Sequence, residues 1–134
     1  MEYAPVVVAL PIADRSTSYR FYQAALGLVA IGEPAEDGVP EPLQFQVNPG
    51  LRLMLIPAEG FGWVIGDREI AGPDRSECLL ALTVGTQGDA DELVGQARAA
   101  GARAVTEPGH KPWGYEGSFV DPDGHLWTVR ADAA

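Results

Sequence analysis

FVDPDGHLWTV, residues 119–129, holds a turn and a strand whose parity orders everything before them. Asp121 to Gly124 has the make-up of a tight turn: Pro122 presets its own φ, Asp123 can bond its own backbone, and Gly124 tolerates positive φ. A strand is predicted after it, with Leu126, Thr128 and Arg130 on one face and Trp127 and Val129 on the other. Gly117 to Asp121 is then its hairpin partner, and Trp127 is read as core.

Upstream, 78–84 alternates Leu80, Leu82 and Val84 against Leu79, Ala81 and Thr83, which predicts a strand with Cys78 buried and inert at its start. Asp89 or a neighbour is the expected cap of a helix over about 90–100, with Leu93, Ala97 and Ala100 as its stripe and Gly101 at its end. Gly95 costs that helix roughly 1 kcal/mol against alanine, so it depends on packing. A strand over 102–107 and an exposed loop over 108–117 lead into the closing hairpin. The order is strand, helix, three strands.

The first half reads the same way. Val6 to Leu10 is a short apolar run suited to a buried strand. Asp14 caps a helix over 15–26 with the stripe Ser18, Tyr22, Ala25 and Leu26, closed by Gly27. A strand over 28–32, an exposed acidic and proline-rich loop ending at Pro42, and a hairpin of 43–48 with 51–56 follow. Asp14 and Asp89 are 75 residues apart and Gly27 and Gly101 are 74 apart, so the chain is read as an internal repeat. The fold class predicted is α+β: two βαβββ modules forming a curved, mostly antiparallel eight-stranded sheet, helices on its outer face and a ligand trough inside. All 134 residues are expected to form one domain, with modules at 1–56 and 78–131 and a connecting loop at 57–77. Phe61, Trp63, Val64 and Ile65 make that loop too apolar for a free linker, so it is read as a lid, a binding loop or a connection between halves.

With 46% hydrophobic and 21% charged residues the composition is that of an ordinary soluble domain. A net charge of −10 argues against nucleic acid and anionic membranes as partners. A single cysteine excludes an internal disulfide and fits a reducing compartment. The N-terminal residues lack the pattern of a signal peptide and no apolar run approaches ~20 residues, so a cytoplasmic location is expected.

The duplicated modules, DRSTSYRFYQAALGL after the first strand, RAAGARAVTEP in the second half and FVDPDGHLWTV at the end together resemble the vicinal oxygen chelate superfamily. That superfamily includes glyoxalase I, extradiol dioxygenases, fosfomycin-resistance enzymes and bleomycin-binding proteins. The resemblance spans nearly the whole chain apart from 57–77, and it implies a homodimer. Metal-dependent members place up to four histidine or glutamate ligands on inward positions of the first and last strands of each module. Registered by motif, those positions are Val7, Met54, Leu79 and Thr128, none of which binds a divalent ion well. A one-residue slip brings Glu77 or Cys78 to the third position but supplies no set of four. His125 sits in the last turn, where its role is read as structural. His110, in a loop near the trough mouth, is open to ligand contact or proton transfer. No metal and no other cofactor is expected.

What remains is an aromatic and apolar pocket. Phe61, Trp63, Trp113 and Tyr115 come from loops expected to overhang the trough, with Val7, Met54, Leu79 and Thr128 as its floor. Trp63 and Trp113 could equally seal an interface or a sheet edge. Arg52 and Arg130 share the inward parity and would favour a carboxylate or phenolate, whereas the net charge favours a cation, so charge leaves the ligand open. The reading adopted is a binder of a small, aromatic organic molecule in a metal-free trough. The alternative is a lyase or dioxygenase of the glyoxalase type with metal or acid/base residues at non-standard positions. Its candidates are His110, Tyr115 and Glu116, with Asp121 and His125 in reserve. A third class is an interaction module with no small ligand.

Overall fold

The computed structural model describes residues 1–132. They form seven strands and three helices in two compact units, one built from Met1–Gln23 with Gly27–Ile70 and the other from Ala24–Leu26 with Ala71 onward.

In the first unit, β1 (Val6–Ile12), α1 (Arg15–Leu26), β2 (Leu43–Asn48), β3 (Leu51–Pro57) and α2 (Ala58–Val64) follow one another. Helix α1 forms where its sequence predicts it. The Asp14 carboxylate accepts the Thr17 N–H at 2.8 Å, and Gly27 ends the helix in the left-handed region at φ 65°, where the absence of a Cβ removes the steric penalty. The sheet order is β1-β3-β2, with β1 parallel and β2 antiparallel to β3. Alternation puts Leu10, Ile12, Leu43, Phe45, Leu53 and Leu55 in the core. Phe45 meets the α1 rings of Tyr22 at 5.8 Å and Tyr19 at 6.4 Å between centroids.

The expected strand over 28–32 is reduced to a single bridge, Ala30 to Phe45, with Ile31 N–H donating to the Gln44 carbonyl at 2.8 Å. The chain beyond it is held by a side chain instead of a ladder. Arg15 Nη2 donates to the carbonyls of Val39 at 2.9 Å and Pro40 at 2.6 Å, while its Nη1 pairs with Asp37 and Glu41. The sheet therefore has three strands. The segment 57–77, expected as loop, opens with α2, whose Gly60 lies against Ile56 of β3.

The second unit contains β4 (Leu80–Val84), α3 (Gln87–Ala99), β5 (Arg103–Lys111), β6 (Gly114–Val120) and β7 (Leu126–Ala131). Its sheet runs β4-β7-β6-β5, giving four strands. The single eight-stranded sheet read from the sequence is thus replaced, among the described residues, by sheets of three and four strands. Trp127, Val129, Ala131 and Phe119 are buried under α3, which turns small residues, Ala90, Val94 and Ala97, inward. That permits Cα–Cα approaches within 8 Å between α3 and strands β6 and β7.

Several local expectations are corrected here. Thr86, not Asp89, caps α3, accepting the Asp89 N–H at 3.0 Å, because the helix starts earlier than its apolar stripe suggests. Cys78 is exposed and lies before β4, as does Leu79. Residues 108–111 and 114–116, expected in a loop, extend the β5–β6 hairpin. Pro108 fits because β5 is an edge strand and a bulge there relieves the ladder of its missing N–H. The final turn forms as predicted: Asp121 Oδ1 accepts from the N–H groups of Asp123 and His125, both at 2.9 Å.

Candidate functional site

Each sheet has a face turned away from its main helix, and strand parity dictates what stands on it. In the first unit that face carries Val7, Arg52 and Gln46 in one row across β1, β3 and β2, and Ala9, Met54 and Gln44 in the next. Val7 is 45% exposed. Arg52 Nε donates to Gln46 Oε1 at 3.0 Å. The Gln46 amide is itself anchored, its Nε2 donating to the carbonyls of Asn48 and Leu51. Phe61 is half-buried, while Trp63 on the same helix is 80% exposed. Trp63 covers little of its own unit.

In the second unit the corresponding face carries Ala81, Thr128 and Ser118 in one row and Thr83, Arg130 and Glu116 in the next. Thr128 and Ser118 are buried, and the Ser118 hydroxyl shares a 2.7 Å hydrogen bond with that of Thr106. Glu116 Oε2 accepts from Arg130 Nε at 3.2 Å, from Arg130 Nη2 at 3.0 Å and from the indole N–H of Trp113 at 3.1 Å. The carboxylate side chain is 13% exposed and that of Arg130 47%. Trp113, in the β5–β6 turn, is 61% exposed. An ion pair with its acid mostly shielded and an indole tethered beside it makes a flat, amphipathic platform.

Of the three acid/base candidates, two meet and the third stands on the other side of the sheet. Tyr115 alternates with Glu116 along β6, so it faces α3, where its hydroxyl donates to Asp91 at 2.6 Å. That bond to an anion favours the neutral phenol and raises the Tyr115 pKa. His110, opposite Tyr115 in the ladder, packs its ring edge-on at 5.1 Å. His110 and Tyr115 therefore occupy one side of the sheet and Glu116 the other. Leu79, expected on the trough floor, precedes β4 and is 50% exposed. Among the described residues no group of three or more His, Cys, Asp or Glu side chains is placed to hold a metal ion. The donor types at Val7, Met54, Leu79 and Thr128 do not fit one either.

Two partnerships escaped the sequence reading, and a hairpin turn signals one of them. Once Val120 and Leu126 are paired, counting outward puts Glu116 opposite Arg130, whereas counting from the β2–β3 turn would put Val47 opposite Arg52, and only a register shift between Gln46 and Asn48 brings Gln46 there.

The model of the Glyoxalase/Bleomycin resistance protein/Dioxygenase superfamily matches residues 5–129. No curated protein matches the chain. Among solved structures, a glyoxalase-related enzyme from Fulvimarina pelagi is 26% identical with a TM-score of 0.80, over 98% of this chain and 88% of that one. A hypothetical protein from S. aureus is 24% identical with a TM-score of 0.81, over 98% and 95%. An antibiotic binding protein from Streptomyces sp. CB03234 is 20% identical with a TM-score of 0.65, over 99% and 98%. The last two likenesses establish the fold alone. No helix among the described residues is long and apolar enough to cross a membrane.

Proposed function

The chain belongs to the Glyoxalase/Bleomycin resistance protein/Dioxygenase superfamily, and from that premise we propose that it binds a small aromatic organic molecule without a resident metal. The observation that carries this reading is the platform of Trp113, Glu116 and Arg130, on the sheet face turned away from α3. A tethered indole offers a π face to a flat ligand, and the adjacent ion pair supplies oriented polar atoms. Within the second unit Thr128, on the same face as Arg130, offers a hydroxyl where metal-dependent relatives would need imidazole or carboxylate, and in the first unit Val7 and Met54 are likewise poor metal ligands. The chemistry of these donors supports sequestration over metal-assisted turnover, and the fold accommodates both.

A thermal-shift screen of flat aromatic compounds, including antibiotics, tests the proposal. Saturating ligand raises Tm as binding to the folded state dictates, and Trp113→Ala removes most of the rise. A library that leaves Tm unchanged overturns it. Metal analysis after supplementation separates the metal-dependent form of the enzymatic alternative, which needs stoichiometric divalent ion, and assays on candidate substrates separate the acid/base form. The same reading includes a homodimer, which sedimentation would detect as twice the mass of one chain.

A further inference from the structure

We propose that Arg52 is the specificity-determining residue for an anionic group on the ligand, so that the preferred ligands are aromatic carboxylates. This inference takes from the binding reading only that the chain holds a small aromatic molecule, and it does not use the Trp113 platform. It is argued from the β1-β3-β2 sheet alone.

Three observations converge on it. Among the described residues the ion pairs use Arg15, Arg98 and Arg130, each against a carboxylate, and Arg52 has no such partner. In a chain of net charge −10, a half-buried guanidinium that meets an amide in place of an acid keeps its full charge for something else. Second, the guanidinium is aimed. Gln46 accepts only from Nε and is locked by its own two bonds to Asn48 and Leu51. Orientation is thereby fixed while the terminal nitrogens, the pair that suits a carboxylate, are left uncommitted.

Third, Arg52 has apolar neighbours toward β1 and along β3, with Gln46 and Gln44 on the β2 side. Val7 is its partner across β1, and Met54 is the next residue of the same parity. Ile56 follows, with Gly60 of α2 against it. Four strand steps lead from Arg52 to Ile56, about 13 Å, enough for a ligand of two or three fused rings with its carboxylate at the Arg52 end. The contrast with Arg130 excludes that residue from the role, because Glu116 already neutralises it.

The experiment compares 2-naphthoate, biphenyl-4-carboxylate and anthracene-2-carboxylate, each with its carboxamide, by calorimetry on wild-type, Arg52→Gln and Arg52→Lys chains. Wild type is expected to bind at least one acid on the order of tenfold more tightly than its amide. Arg52→Gln equalises acid and amide by weakening the acid alone, and Arg52→Lys keeps part of the preference because it keeps the charge. Amide affinity unchanged across the variants shows that each still folds around its ligand. If acids and amides bind equally to wild type, or the acid preference survives Arg52→Gln, the inference fails while the binding reading stands. If no compound of either series binds, the inference fails, and the binding reading is decided separately by the thermal-shift library.

Discussion

The two modules both run strand, helix and hairpin, but module one closes with a short helix after three strands and module two with a fourth strand, and they answer the same packing problem differently. Module one presses large side chains from α1, Phe21 and Tyr22, onto a sheet of three strands. Module two brings small residues of α3 close to a sheet of four. Each has an arginine on the face away from its helix, but Arg52 is held by an amide and Arg130 by a carboxylate. A repeat therefore dictates register and parity, which are properties of the backbone. It does not dictate charge, because one side chain opposite the arginine is enough to cancel it.

That comparison can be broken most forcefully in the cores. Phe21→Ala should cost about 3–5 kcal/mol and Val94→Ala about 2 kcal/mol, since the first removes a ring and the second two methyl groups. Chemical denaturation measures both, and equal losses would refute the large-against-small contrast.

Two glycines sharpen it next. Gly27 and Gly124 both have positive φ, yet a Cβ on Gly27 meets nothing within 4 Å whereas one on Gly124 would lie 2.0 Å from the Pro73 carbonyl oxygen. Gly27→Ala should cost about 1–2 kcal/mol from conformational strain alone, and Gly124→Ala clearly more. A smaller loss at Gly124 would mean that the Pro73 segment shifts freely.

Arg15→Ala comes third. It removes the donor of the Pro40 carbonyl and one of the two donors of the Val39 carbonyl, which keeps the Ala35 N–H, for a loss of about 1–2 kcal/mol, and should speed proteolytic cleavage within 33–41. In module two, Arg98→Ala removes only a surface pair with Glu107 and should leave Tm almost unmoved. Comparable sensitivity would undo the assignment of Arg15 as a clamp.

The smallest effect is in pH dependence. In module one, Asp37 is held below its ordinary 3.8 first by the Val39 N–H and Asp14 first by the Thr17 N–H. Glu107 in module two is held below its ordinary 4.5 first by Arg98. Folded pKa values that are lowered give stabilisation that is whole above the unfolded values and lost as pH falls through the folded ones. Tyr115 is the reverse case. Its pKa is raised above 10.0, first by its bond to Asp91, so its contribution holds below that value and disappears as pH rises through the folded one. Tm measured against pH should therefore lose part of its acid limb in Asp37→Asn and part of its alkaline limb in Tyr115→Phe. An unchanged alkaline limb in Tyr115→Phe would mean the Asp91 bond does not form in solution.

Helix α1 was legible to the residue, because Asp14 and Gly27 are unambiguous end signals and the stripe between them is regular. The parities of β3 and β7 were legible as well, since alternation needs only the chain itself. The fourth strand of module one was not, because Ala30 to Gly32 reads as extended, while the following backbone bonds to itself between Ala35 and Val39 and to the Arg15 side chain in place of a ladder. The β5–β6 hairpin was hidden by Pro108 and Gly109, which signal a loop until a bulge on an edge strand accommodates them.

On its own, the sequence determined the caps of α1, the parities of β3 and β7 and the scarcity of metal-binding donors at Val7, Met54, Leu79 and Thr128. These are local properties, set by residue type and spacing along one chain. Only the tertiary structure decided that Glu116 neutralises Arg130 and shelters the Trp113 N–H, that Tyr115 turns to Asp91, and that Arg52 has Gln46 for a partner. Electrostatic identity depends on which side chains lie within a few ångströms across strands, and folding, not sequence proximity, makes them neighbours.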